Sequence, residues 1–142
     1  MSFRVFPIDF ASDSYDDYID LRSRILRVPI NLSFSEQELS DEADMFHFAA
    51  YRESKIVACF VLVDLGNGVI KMRQVAVDES YQNQGIGSLM VQYCEAWCKI
   101  KAYQKIVLNA RLTAVRFYEK NNYTKIGKAF EEVGIPHFKM EK

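Results

Sequence analysis

The stretch Tyr81 to Met90 reads YQNQGIGSLM, with Gly85 and Gly87 two apart and apolar residues recurring at helical spacing from Ile86 onward. The first amides of a helix have no intrahelical partner and carry the positive end of its dipole. A helix opening on this stretch offers those amides to an anion, a phosphate above all. Glycine adds no Cβ to block close approach. The chemistry on offer is therefore binding of a phosphate or pyrophosphate on bare backbone. A G-x-G pair serves a tight turn or close helix–sheet packing equally well. The string is also neither a full G-x-G-x-x-G nor a P-loop, which needs a Lys-Ser/Thr pair. Metal chemistry has less support: Cys94 and Cys98 lie four apart, but Cys59, His47 and His137 supply no second ligand pair, so no metal is expected.

The elements that must position this turn follow from periodicity. Phe3 to Asp9 reads as a short strand. Ser14 opens a capping-box-like SYDD, and Tyr18, Leu21, Ile25 and Leu26 follow at helical spacing towards a stop before Pro29. SFSEQEL suggests a second, shorter helix after Ser33 or Ser35. Three strands come next: Phe46 to Arg52, the continuous apolar run IVACFVLV, and VIKMRQVAV after the turn DLGNGV. Ile86, Leu89, Met90, Tyr93, Trp97 and Ile100 then form an amphipathic stripe. KIVLNA is a strand, and TAVRFYEKN a short helix with Thr113 as N-cap candidate. YTKIGKAF and PHFKME are strands joined by EEVGI. The order β-α-α-β-β-β-α-β-α-β-β predicts an α/β domain, a mixed sheet with helices on both faces. The unit 69–109 predicts a parallel pair with a right-handed helical crossover.

A chain of 142 residues fits one domain, 1–142. Its net charge is −1 with both signs interleaved, so neither nucleic acid nor a membrane surface is expected as partner. The N-terminus has no signal-like apolar region, and the longest apolar run, Ile56 to Val63, is too short to span a bilayer. Three cysteines without a framework read as reduced thiols, and the expected location is cytoplasmic.

The longer string MRQVAVDESYQNQGIGSLMVQYCEAW sharpens the opening stretch. Its core, Gln82-Asn83-Gln84-Gly85-Ile86-Gly87, matches Q/R-x-x-G-x-G/A, and with VAVDESYQ upstream it closely resembles the acetyl-CoA signature of the GNAT N-acetyltransferase superfamily. The later NARLTAVRFYEKNNY looks like the second signature of that family, and FEEVGIPHFKM is similar to its ElaA-like branch. The resemblance covers most of the chain. It implies the GNAT acyl-CoA N-acyltransferase fold, a mixed six- to seven-stranded sheet flanked by about four helices.

It also implies an acyltransferase that uses acetyl-CoA as co-substrate and delivers the acetyl group directly to a primary amine in a ternary complex. By position, the backbone of Asn83, Gln84, Gly85, Ile86, Gly87 and Ser88 holds the pyrophosphate. Val75, Ala76 and Val77 pair with the pantetheine arm in the manner of an added strand. Tyr118 matches the tyrosine that protonates the leaving thiolate; an ordinary phenol pKa of about 10 keeps it protonated at neutral pH. It equally suits a core aromatic beside Phe117. Some relatives carry a glutamate where this chain has Asn109. Asparagine is no base, but it can hydrogen-bond the pantetheine amides.

The general base stays open between His137, Glu131 and Glu132 on the last hairpin and a water chain held by Arg73 and Gln74. Histidine is the type that changes charge near neutral pH. An amine that arrives neutral needs no dedicated base. The acceptor is a small-molecule or peptide amine, the small molecule being preferred, and it is expected against the early helices and the final hairpin. Arg22, Arg24 and Arg27 either attract an anionic group on it or form a solvated face, and Phe34 and Tyr51 are weaker candidates for a pocket wall. A homodimer is compatible with such folds. The competing reading is a catalytically silent CoA-binding sensor or interaction module.

Overall fold

The computed structural model describes residues 3–10 and 12–142, and the periodicities of the chain become elements in the expected order. The strands are β1 (Arg4–Ile8), β2 (Phe46–Arg52), β3 (Lys55–Gly66), β4 (Val69–Val77), β5 (Lys105–Arg111), β6 (Thr124–Glu132) and β7 (Ile135–Glu141). The helices are α1 (Tyr15–Arg22), α2 (Glu36–Ser40), α3 (Ile86–Ile100) and α4 (Val115–Lys120). The strands form one mixed seven-stranded sheet in the order β1-β2-β3-β4-β5-β7-β6. Among the described residues no helix is long and apolar enough to cross a membrane.

Two expected caps are absent. Ser14 is already helical at φ −81°, ψ −9°, and makes no side-chain capping bond. A cap needs extended backbone to swing its oxygen over the first amides. Ser35 has that geometry (φ −81°, ψ 159°) and closes a full capping box with Glu38. Thr113 lies inside a 3-10 turn, Leu112–Ala114, and Ala114 takes the cap position of α4. The α1 helix ends at Arg22, well before Pro29, and continues as a π-turn over Ser23–Arg27. Pro29 then sits at the start of a 3-10 turn, where its missing N–H leaves no bond unmade.

The chain falls into two compact units, residues 1–62 with 74–93 and residues 63–73 with 94–142. In the first, α1 covers one face of β2 and β3, and Ile8, Tyr18, Leu21, Ala49, Cys59, Val61 and Ala76 form the core there. Phe48 stacks on Phe60 at 4.8 Å, with Tyr93 against Phe48 at 5.8 Å. A buried polar network crosses the α1 side. Arg22 donates twice to Glu42, at 2.7 and 2.6 Å. The Tyr18 hydroxyl lies 2.7 Å from His47 Nδ1, and His47 Nε2 lies 2.9 Å from the Glu42 carbonyl. A carbonyl only accepts, so Nε2 carries the proton and Nδ1 accepts from Tyr18.

In the second unit, β4 and β5 are parallel from Val69↔Lys105 to Met72↔Leu108, and β7 lies antiparallel to both β5 and β6. Ile70, Met72, Leu108 and Met140 are buried on it, as are Cys94, Cys98 and Tyr118. Glu95 on α3 accepts from Tyr123 Oη at 3.0 Å and from Lys142 Nζ at 2.9 Å, which ties the chain end to the helix.

Candidate active site

In the first unit, the site begins with Gln74, which the sequence offered only as one holder of a water chain. Gln74 has φ 54° inside β4. A non-glycine residue in the left-handed region within a strand is strained, and such strain gathers at functional positions. Glutamine carries no sequence signal for this. The one hint is the polar interruption Arg73-Gln74 before the apolar Val75-Ala76-Val77. Of those three, Ala76 is buried and the two valines are half-buried.

Asp78 follows and organises the loop. Its Oδ1 accepts from Ser80 N–H at 2.9 Å, and its own N–H donates to the Val57 carbonyl at 2.8 Å. Burial pushes the Asp78 carboxyl up, but the Ser80 N–H and the Lys55 and Arg24 cations outweigh it and hold the carboxyl below its ordinary range. Gln82 and Gln84 brace the same loop: Gln82 Nε2 donates to the Val77 carbonyl at 3.0 Å, and Gln84 Nε2 to the Ser80 carbonyl at 3.1 Å.

Asn83 and Gly85 are both left-handed, at φ 61° and 82°. Alternating handedness of this kind turns neighbouring N–H groups into one concavity that favours an anion. A Cβ built on Gly85 would meet nothing within 4 Å, so this glycine is not there for packing: its side-chain space is open. Helix α3 starts at Ile86, and Leu89 N–H donates to the Gly85 carbonyl at 3.1 Å. The N–H groups of Ile86 and Gly87 lie ahead of that bond, in the first turn of the helix.

In the second unit, Tyr118 on α4 is buried, with its ring against Phe117 at 5.0 Å and Tyr123 at 5.7 Å. Burial first, and then the nearby Cys94, push its hydroxyl well above the ordinary phenol range, so it stays a proton donor. Asn109, Glu132 and His137 come together on the other strands. Asn109 Nδ2 donates to Glu132 Oε1 at 3.1 Å, and Glu132 Oε2 lies 3.6 Å from His137 Nε2. His137 is buried, and its Nδ1 lies 2.9 Å from the Ile135 carbonyl. Nδ1 therefore carries the proton, and in neutral His137 the lone pair is on Nε2, beside the carboxylate. Register separates the two glutamates: Phe130↔His137 and Glu132↔Ile135 share one face, and Glu131, opposite Pro136, points to the other.

The three arginines of the early helices are each engaged by carboxylates: Arg22 by Glu42 at 2.6 Å, Arg24 by Glu79 at 2.7 Å and Arg27 by Glu38 at 2.8 Å. Arg22 and Arg27 are buried, so they form no solvated face, whereas Arg24 stays exposed while paired. Phe34 lies against the Arg22 and Arg27 guanidiniums, at 4.7 and 4.1 Å, and Tyr51 packs on Phe6 at 6.0 Å. Among the described residues no group of three His, Cys, Asp or Glu side chains is placed to hold a metal ion.

Comparison with known proteins bears on this geometry. The chain is 28% identical over 110 residues to the uncharacterised N-acetyltransferase YjcF of Bacillus subtilis (strain 168), covering 76% of this chain and 78% of YjcF. Its fold matches that of Escherichia coli ElaA with a TM-score of 0.80 at 17% identity, over 99% of this chain and 98% of ElaA. It also matches the PaiA N-acetyltransferase of Thermoplasma acidophilum, solved in complex with coenzyme A, with a TM-score of 0.76 at 14% identity, over 100% of this chain and 99% of PaiA. At these identities the structural likeness is one of fold. The family model described as an acetyltransferase (GNAT) domain matches residues 29–142. The chain therefore belongs to the GNAT acetyltransferases.

Proposed function

We propose that the chain transfers an acetyl group from acetyl-CoA directly to the primary amine of a small molecule in a ternary complex, with residues 1–142 acting as one domain. The observation that carries this reading is the turn before α3, with Asn83 and Gly85 left-handed and the side-chain space of Gly85 open. Family membership supplies the cofactor, and the coenzyme A bound to PaiA is consistent with it.

In this reading the backbone of Asn83 to Ser88 receives the pyrophosphate, and the backbone of Val75 to Val77 binds the pantetheine arm and polarises the thioester carbonyl. As the amine nitrogen bonds to the carbonyl carbon, the carbon–sulfur bond breaks. Tyr118 gives its hydroxyl proton to the departing thiolate. His137 takes the amine proton on Nε2, and Glu132 stabilises the imidazolium. Asn109 is given a positioning role through Glu132, because its amide N–H is directed there. The experiment is a screen of primary amines with acetyl-CoA, following thiol release and identifying N-acetylated product by mass spectrometry. Release that requires both substrates supports the reading. Tight acetyl-CoA binding without turnover on any amine would instead favour a silent CoA-binding module.

A further inference from the structure

Strand register places a set of charges on one sheet face of the second unit. Lys71 is opposite Val107, Asn109 opposite Lys139, and Arg111 opposite His137. Side chains alternate along a strand, so Lys71, Arg73, Asn109, Arg111, Lys139 and His137 share that face with Glu132. Lys71 is half-buried, and among the described residues its ammonium makes no hydrogen bond or ion pair. Two lysines of the same unit are ion-paired: Lys105 with Glu141 at 3.3 Å and Lys142 with Glu95 at 2.9 Å. Glu132 is the carboxylate that Lys71 senses, yet it is already engaged by Asn109 and His137. Burial lowers the Lys71 pKa, Glu132 opposes this, and Arg73 and Lys139 lower it further. Lys71, Arg73 and Lys139 thus share a face with one carboxylate that is already engaged. A partly desolvated ammonium that makes no direct ion pair is costly to keep unless something else supplies the charge.

We propose that Lys71 is a specificity residue that binds a carboxylate on the acceptor, so that the acceptor is an amino acid or a related amine carrying a carboxylate. This rests on the reading of the chain as an N-acetyltransferase. Arg73 and Lys139 add to the field at that point, and the acceptor amine goes towards Glu132 and His137.

The test uses the full chain and three matched pairs: alanine, β-alanine and phenylalanine, each with its carboxamide. Thiol release gives kcat/KM for each. The carboxylate member of at least one pair is expected to be better by about tenfold or more. The carboxamide's amine is the less basic and more often neutral at pH 7, so intrinsic reactivity runs the other way. Lys71→Met is expected to reduce the preference to about threefold or less by raising KM, and Lys71→Arg to restore part of it. Acetyl-CoA affinity, measured by calorimetry, should be unchanged in both. A readout independent of turnover is the amide spectrum of 15N-labelled chain titrated with each pair: carboxylate members alone should shift Lys71 and Val107, and not in Lys71→Met. Turnover or binding that ignores the carboxylate, or a preference intact in Lys71→Met, overturns the proposal. Absence of turnover on every amine, with the carboxylate-specific shifts present, would overturn the transferase reading and leave the Lys71 site standing.

Discussion

At the residue scale, the site divides into groups legible in the sequence and groups that only the register defines. Tyr118, Asn109 and His137 could be named as candidates because they fall in strings that resemble family signatures, although the expected pantetheine role of Asn109 differs from its bond to Glu132. Glu131 and Glu132 are adjacent and chemically alike, so no sequence argument separates them. Pairing of β6 with β7 does, by turning Glu132 towards His137 and Glu131 away. Lys71 was just as hidden, since a lysine in a strand reads as solvent-facing until its missing partner is seen. The sharpest residue-scale expectation concerns Tyr118. Tyr118→Phe keeps the ring packing against Phe117 and Tyr123 and removes only the hydroxyl. It should lower kcat by roughly 10²- to 10⁴-fold, the range for a lost general acid, while the acetyl-CoA Kd stays within about twofold. Steady-state kinetics beside calorimetry checks this; equal loss in both quantities would make Tyr118 a packing residue.

At the element scale, the order and type of every strand and α-helix followed from period and punctuation, and the errors were local. Ser14 and Thr113 have the right residue type for a cap and the wrong backbone, because the chain is already helical when it reaches them. Residue type is read from sequence, whereas φ and ψ are set by what the preceding segment packs against. Gln74 is the same lesson in a strand. Its left-handed backbone inside β4 is absent from any propensity scale. Gln74→Val, a β-branched residue that cannot adopt positive φ cheaply, should destabilise the fold by about 1–3 kcal/mol in urea unfolding. Gln74→Gly should be neutral or stabilising. The reverse order would mean that the Gln74 side chain, not its backbone, matters for stability.

At the scale of the whole molecule, the mixed sheet and its helices were legible because the resemblance and the periodicities agreed, which is the consistency expected of a foldable sequence. Composition could not show the buried network on α1. Arg22, Glu42 and His47 look like surface residues in a list, yet all three are buried. Burial, the largest influence, lowers the pKa of His47, with Arg22 acting in the same direction against the pull of Glu42. Neutral His47 therefore favours the folded chain. The unfolded chain, with a histidine pKa of about 6.5, takes up the proton first. This contribution to stability is complete above that value and is lost as pH falls below it towards the depressed folded value. Thermal unfolding followed from pH 8 to pH 5 should show Tm falling below about pH 6.5. His47→Gln should start lower and fall less steeply; an unchanged slope would assign the dependence to other groups.

The account as a whole rests on the turn before α3 holding acetyl-CoA, and a calorimetric titration of the full chain with acetyl-CoA tests it beside Gly85→Asp and Gly85→Asn. Both replacements enter open space and carry the same left-handed backbone, which Asp and Asn tolerate better than most residues, so the fold should survive in each. They differ in charge. Wild type should bind at one site, Gly85→Asn more weakly, and Gly85→Asp at least ~100-fold more weakly than wild type, on the order of 2.7 kcal/mol. Acetyl-CoA bound equally well by folded Gly85→Asp and wild type would contradict the assignment of this turn.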